Sequence, residues 1–370
     1  MIMPRIPRLA IVSTGIRRDL LAPLKSFSKF EVLHLYRHAK YGDLTEQDLG
    51  NTLHRYGSPV DLYRQLISAR PDIIQGVEPF SLAQQPYLWA CYFAARRVKA
   101  RLLVVAFENR PLAVKFGVAP AFMLRSLLRI YLKRSCLVIV LNEGARQNAV
   151  ACGADPARVV KAMWGTWGVD LDEFSPKDPP PQAPTVLFAG RLAEEKGILV
   201  LLDASRLLCS EIPSARLLIV GDGPLREIVE AFVRKHLAPG MATVVGKVKH
   251  RNMPEYFRSA TVLAAPSITT RKWEEQVGMV ALQAMACGVP VVSTRGGAIP
   301  EYVPPEAGIL VAERDAAALA QALADVLSNG ALRERMSRAA RAFARGHYDA
   351  AANIAKAEGI LMERCGARRD

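Results

Sequence analysis

The stretch WEEQVGMVALQAMACGVPVV, Trp273–Val292, decides the fold. Two acids, Glu274 and Glu275, precede a run of small apolar residues that a single amide, Gln283, interrupts. Gly288 ends that run, and a short β-branched segment, Val289 to Val292, follows. An apolar helix closed by glycine and followed at once by a buried strand is half of a parallel α/β unit.

The same alternation extends in both directions. Before it lie the strand candidates TVLFAG, ARLLIVG, ATVVG and TVLAAP, and after it GILV. The first half repeats the rhythm with RLAIV, EVLHLY, PDIIQG, ARLLVVAF, CLVIVLN and RVVKAMW, with helical patterns near 82–99, 113–135 and 144–152. The proline-rich stretch GVDLDEFSPKDPPPQAPT, Gly168–Thr185, has no periodicity and reads as a linker. The expected fold is therefore α/β, with two doubly wound parallel-sheet domains whose strand ends face an interdomain cleft. The expected boundaries are 1–172, 173–346 and a terminal helix over 347–370 that packs back on the first domain.

The 370 residues suffice for two cores, and the composition is that of an ordinary globular protein. The net charge of +14 is uneven: residues 1–172 carry +11 and residues 173–370 carry +3. The excess points the first domain toward an anionic partner. The six cysteines form no Cys-x-x-Cys pair, which predicts reduced thiols and no zinc site. The apolar run after MIMPRIPR is too short for a signal peptide, and no stretch approaches the ~20 apolar residues of a membrane span. The expected location is the cytoplasm, with any membrane contact made from the surface.

Three loops raise the question of anion binding. In GRLAEEKG, Gly190–Gly197, a strand end leads into a helix, and Arg191 and Lys196 add two cations to exposed backbone amides. This is either a pyrophosphate cradle or a solvated loop whose cations pair with Glu194 and Glu195. In IVGDGP, 219–224, Arg226 stands where a dinucleotide motif needs its third glycine, so a tight turn N-capped by Asp222 is expected. STRGGAIPE offers the consecutive amides of Gly296 and Gly297.

The opening stretch supplies the rest. A helix beginning near Gly278 directs the amides of Gly278, Met279 and Val280, with the positive end of its dipole, at a ligand. Glu275 would accept from ligand hydroxyls, and Gln283 lies roughly one turn deeper. A hydroxyl-rich ligand with phosphate in its middle, such as a nucleoside diphosphate sugar, satisfies all of these groups. Base contacts are expected from backbone around Gly246–Lys249, Val248 among them.

Taken together, GRLAEEKG, GDGP and EQVGMVALQAMACGVPVVSTRGGAIPE, with GVDLDEF before the linker, resemble the family 4 retaining glycosyltransferases of GT-B architecture. The resemblance is close over 155–345, and the first domain shares only the rhythm. It implies that Arg191 and Lys196, after Gly190, bind the diphosphate and stabilise the leaving group. It implies that Glu275 is the first acid of the E-x7-E motif, near the donor sugar, that Gly278 and Met279 form a backbone-donating turn, and that Val277 belongs to the donor site. Gln283 falls on the second acid, which grips the ribose hydroxyls in the family. A neutral amide there still accepts a hydrogen bond, though a weaker one than a carboxylate.

In the first domain, Gly15 in STGIRRD is expected after the first strand, where the family has a glycine-rich acceptor loop. Glu108 and Asn109 follow a buried strand and are expected at the acceptor, with Glu108 in an active-site role or else paired with Arg110. No histidine has a metal-ligand partner at a telling spacing. The segment Lys115–Cys136 combines Arg125, Arg129 and Lys133 with an apolar face of Leu124, Leu127, Leu128 and Tyr131. Alone it reads as a domain helix with a cationic solvated side, and the charge of the first half adds an anionic membrane surface as a second reading.

The resulting expectation is a retaining glycosyltransferase that moves a hexose from a nucleoside diphosphate to a hydroxyl of a glycan or lipid-linked acceptor. It needs no metal and no cofactor, because Arg191, Lys196 and the helix amides supply the positive charge. The alternatives are a nucleotide-sugar epimerase or hydrolase and a non-catalytic sugar-nucleotide binder, with nucleic-acid binding ranked last for want of a recognition motif.

Overall fold

The computed structural model describes residues 5–39, 44, 52–177 and 183–366. The chain divides into two compact units, Met1–Gly168 with Ala350–Asp370, and Val169–Asp349.

The first unit is a seven-stranded, all-parallel sheet in the order β3-β2-β1-β4-β5-β6-β7. Its strands are β1 (Arg8–Ile16), β2 (Glu31–Ala39), β3 (Leu53–Arg55), β4 (Ile73–Gln75), β5 (Arg101–Ala106), β6 (Ser135–Val140) and β7 (Val159–Lys161). The central strands are largely apolar because helices cover both faces. Val12, Leu35, Ile74, Val104 and Val138 meet in one core with Leu62, Leu88 and Leu128 from the covering helices. His34 is buried in β2, its Nε2 2.9 Å from Ser13 Oγ. Burial pushes its pKa down to about 3, which keeps the ring neutral inside the sheet.

Two expectations change here. Gly15 does not follow the first strand but lies inside β1, where it pairs with His38. The strand runs on because β2 supplies ladder partners as far as Ile16–Ala39, so the turn after β1 starts at Arg17. The helix expected over 113–135 is two helices, Leu112–Phe116 and Val118–Lys133, parted at Gly117 with φ +90°.

The terminal helix Ala350–Cys365 belongs to the first unit. Its fully buried Glu358 accepts hydrogen bonds from Ser28 N at 2.9 Å, Lys29 N at 2.7 Å and Ser28 Oγ at 3.0 Å. The return of this helix corrects the expectation of reduced thiols. It brings Cys365 to a Cα–Cα distance of 5.6 Å from Cys136, and the two form a disulfide across 229 residues. Cys91, Cys152 and Cys287 are buried thiols, and desolvation pushes each up to about 12. They are therefore poor nucleophiles.

The second unit is a six-stranded, all-parallel sheet in the order β10-β9-β8-β11-β12-β13. It comprises β8 (Thr185–Ala189), β9 (Arg216–Val220), β10 (Ala242–Gly246), β11 (Val262–Ala265), β12 (Val291–Thr294) and β13 (Gly308–Val311). The stretch read as a linker is partly held by this unit. Arg258 donates to Glu173 O and Ser175 O at 2.9 and 2.8 Å, and Arg341 to Phe174 O at 3.0 Å. Residues 178–182 of that stretch lie outside the described residues.

Candidate functional site

The order of the second sheet reverses at the neighbouring strands β8 and β11. Loops leaving the carboxyl ends of such a pair diverge and leave room for a ligand. Here they carry GRLAEEKG and the segment Pro266–Val277.

The first loop is braced from beneath. Leu192 N donates to Asp222 O and Leu225 N to Leu192 O, both at 3.0 Å, so the GDGP turn is its support. Contrary to the expectation, Asp222 does not cap the following helix. Its Oδ1 accepts from Gly223 N at 2.8 Å, and the helix Arg226–His236 starts one turn later. Gly197 ends the loop at φ +69°, and a Cβ there would collide with Pro266 O. The two loops are joined by Ile268 N donating to Glu195 O at 2.9 Å.

Lys196 and Glu275, 79 residues apart, meet in this frame. Lys196 Nζ donates to Glu275 Oε2 at 2.7 Å and lies 4.4 Å from the Trp273 ring centroid. Ser267 Oγ donates to the same carboxylate oxygen at 3.0 Å. The ammonium is thus held at a carboxylate and over an indole face, which fixes a charge that otherwise swings on a flexible stem. Arg191 is more exposed and pairs with Glu195.

The helix beside them begins where the sequence places it. Gly278 is its N-cap, at φ +75°, and it spans Met279–Ala286. The first-turn amides of Met279 and Val280 have no acceptor within the helix. A Cβ on Gly278 would lie 3.6 Å from Glu275 Cγ, so the carboxylate stem packs against the helix start. Val277 is buried. The Gly296–Gly297 turn holds this arrangement from the other side, with Ala298 N donating to Glu275 O at 2.8 Å. A Cβ on Gly296 would collide with Glu313, whose carboxylate accepts from Thr269 N and Oγ1.

Gln283 is 8% exposed within the helix, and its Nε2 donates to His250 Nε2 at 3.1 Å. His250 in turn packs edge-on against Phe174. This contact brings the loop after β10, with half-buried Val248, to the deep end of the helix. The second unit therefore gathers Gly190, Arg191, Lys196, Glu275, Val277, Gly278, Met279 and Val280 around one strand-end crevice. The Gly296–Gly297 turn lies behind Glu275, and Gln283 with Val248 lies further along. The residue pattern alone did not indicate His250, Ser267, Trp273 or Glu313. Trp273 stood in the opening stretch, and its neighbour Glu275 was the available signal.

In the first unit Glu108 and Asn109 follow β5 and are buried. Glu108 pairs with the Lys115 ammonium and accepts from Arg110 N at 3.1 Å. Gly15 lies in β1 and supplies no loop there. A carboxylate the motifs did not flag, Glu78, follows β4 in GVEPF and accepts from Phe107 N at 3.0 Å. Burial, reinforced by the Glu108 charge and partly offset by backbone N–H donors, raises its carboxyl to about 8. Among the described residues no group of three or more His, Cys, Asp or Glu side chains could hold a metal ion. Nor, among them, is any helix long and apolar enough to cross a membrane.

Two parallel-sheet units, the second with a basic loop and a helix N-terminus at its strand reversal, make up the GT-B fold. Residues 171–343 match the model of the family described as Glycosyl transferases group 1. Among curated proteins the chain is similar to the sulfoquinovosyl transferase SQD2 of Arabidopsis thaliana, at 28% identity over 58% of this chain and 42% of that protein. It is also similar to the D-inositol 3-phosphate glycosyltransferase of Arthrobacter sp. (strain FB24), at 36% identity over 48% of this chain and 45% of that protein. The chain spans less than half the length of these curated relatives. Among solved structures, Anabaena Alr3699/HepE in complex with UDP shares the fold, with a TM-score of 0.77 and 15% identity over 96% of this chain and all of that one.

Proposed function

We propose that the protein is a retaining glycosyltransferase that takes a hexose from a nucleoside diphosphate sugar and transfers it to a hydroxyl of a glycan or lipid-linked acceptor. The observation that carries this reading is Lys196, held at Glu275 and Trp273 beside the amide-bearing start of the helix Met279–Ala286. A diphosphate at that helix start takes hydrogen bonds from the Met279 and Val280 amides and charge from Lys196 and Arg191. As the bond to the anomeric carbon breaks, negative charge grows on the leaving phosphate, and these preorganised groups stabilise it. Glu275 receives the hydroxyls of the sugar.

Gln283 receives the ribose. Its amide nitrogen is taken by His250, so its oxygen is the acceptor it offers a hydroxyl. Gln283→Leu is expected to weaken nucleoside diphosphate binding by about 1–3 kcal/mol, since it strands a hydroxyl and the His250 ring together. Gln283→Glu is expected to bind at least as well as the wild type, because a carboxylate is a stronger acceptor for the ribose hydroxyls than an amide oxygen. Calorimetric titration of the three proteins checks this. Equal affinity for wild type and Gln283→Leu would make Gln283 a core amide.

Cations and amides supply the charge stabilisation, so turnover is expected to survive chelation. Assays with and without EDTA test this, and loss of activity restored by magnesium or manganese would contradict it. On the acceptor side, Glu108 and Asn109 are the proposed contacts.

Glu78, with its raised carboxyl near Glu108, supports a second reading, hydrolysis of the nucleotide sugar by a buried acid–base pair. The two readings separate in one experiment. The protein is incubated with labelled uridine, guanosine and adenosine diphosphate sugars, with and without hydroxyl acceptors. The anomeric configuration of the product is then read by NMR. Acceptor-dependent transfer with retained configuration supports the first reading, and free sugar released without acceptor supports the second.

A further inference from the structure

The helix Val118–Lys133 faces differently from its sequence pattern. Ala121, Leu124, Leu128, Tyr131 and Leu132 are buried against the first sheet. Leu127, expected on the inner face, is instead 45% exposed. The outward surface holds Val118 at 79%, Phe122 at 71%, Met123 at 66% and Ile130 at 50% exposure, and Val114 of the preceding helix adds 45%. Single exposed apolar side chains are ordinary on a protein surface, but five on the outward side of one helix, interleaved with cations, are not. The cationic side expected from the sequence thus carries large apolar side chains as well.

Charge indicates what covers it. Between Glu108 and Glu143 the sequence contains no acidic residue, while Arg110, Lys115, Arg125, Arg129, Lys133 and Arg134 all fall there. Arg129 and Lys133 are exposed on the helix itself, beside the apolar residues. Phe93, 53% exposed on the helix Gln85–Val98, packs against Trp89, which in turn touches Tyr131. A protein partner able to match this face would need a complementary acidic rim around an apolar centre. An anionic bilayer provides both over any area, with headgroup charge for the cations and acyl chains for Phe122, Met123 and Leu127.

We propose that the outward face of the helix Val118–Lys133 is a docking surface for an anionic lipid bilayer, entered by Val118, Phe122, Met123, Leu127 and Ile130 and steered by Arg129 and Lys133. The side chains lie flat in the interface and do not span it. The cations set the preference for acidic headgroups, and the apolar residues set the residual binding at high salt.

The full chain is sedimented with vesicles of phosphatidylcholine alone and of phosphatidylcholine mixed with phosphatidylglycerol, at low and high salt. Expected is binding to the mixed vesicles that weakens with salt, and little binding to neutral ones. The triple variant Phe122→Ser/Met123→Ser/Leu127→Ser should lose binding by roughly tenfold or more. Arg129→Glu/Lys133→Glu should lose the headgroup preference. These positions are exposed, so both variants should keep the wild-type Tm, which calorimetry checks. Wild type that ignores anionic vesicles overturns the proposal, as does a well-folded triple variant that binds like wild type. A lipid-indifferent wild type that is a dimer, converted to monomer by the triple substitution, would assign the face to a second copy of the chain instead.

Discussion

Lys196→Ala is expected to lower kcat by about 10²–10³, or roughly 3–4 kcal/mol of barrier, while the protein stays folded. Two features set this magnitude. The ammonium is 28% exposed and fixed between Glu275 and the Trp273 ring, so its charge is aimed before the ligand arrives and costs little to organise. In the proposed reaction it would also act on a phosphate whose charge increases as the glycosidic bond breaks, and so stabilise the transition state more than bound donor. The loss should therefore fall on kcat more than on the KM for donor. Arg191 is 62% exposed and should matter less, because solvent screens it. Removing Lys196 leaves Glu275 with the Ser267 hydroxyl, so a small fall in Tm is expected alongside. Lys196→Arg should restore part of the rate. A wild-type kcat in Lys196→Ala would remove the residue from the reaction.

Gly197→Ala is expected to destabilise the second unit by about 3 kcal/mol or more and to abolish nucleoside diphosphate binding. Gly197 carries φ +69°, and its Cβ would overlap the Pro266 carbonyl oxygen. The backbone at Pro266 has no flexible end to yield, so the loops after β8 and β11 must part. They carry Lys196 and Glu275, so the damage reaches the site directly. Gly240→Ala is the matched control. It has φ +83° with nothing near its Cβ, so it should cost only the backbone strain, about 1 kcal/mol. The difference between the two variants in thermal unfolding isolates the collision. Equal shifts would mean that the two loops do not need their close approach.

The residues that revealed most in the sequence are those whose surroundings lie close along the chain. Parallel strands buried on both faces are continuous apolar runs, so all six strands of the second unit were legible, as were five of the other seven over most of their length. β3 was missed because two of its three residues, His54 and Arg55, are exposed at the sheet edge. β1 was read short because Ser13, Thr14 and Gly15 break its apolar run, although β2 pairs it throughout. Individual contacts between distant segments were not legible in the spacing. Nothing in the spacing joins Cys136 to Cys365, Glu358 to Ser28 or Lys196 to Glu275; the fold alone brings them together. Glu78 was hidden for a related reason, since only burial distinguishes it from a surface carboxylate. Periodicity misplaced Leu127, because a helix with apolar residues on both faces has no single inward stripe to read.

The central claim is that Lys196, with the start of the helix Met279–Ala286, grips a diphosphate. Titrating uridine, guanosine and adenosine diphosphates by calorimetry into the full chain and into Lys196→Ala tests it most directly. At least one nucleotide should bind the wild type, and the same nucleotide should bind Lys196→Ala roughly tenfold or more weakly. Wild type that binds none of the three, or a variant that binds as tightly as wild type, would contradict the account.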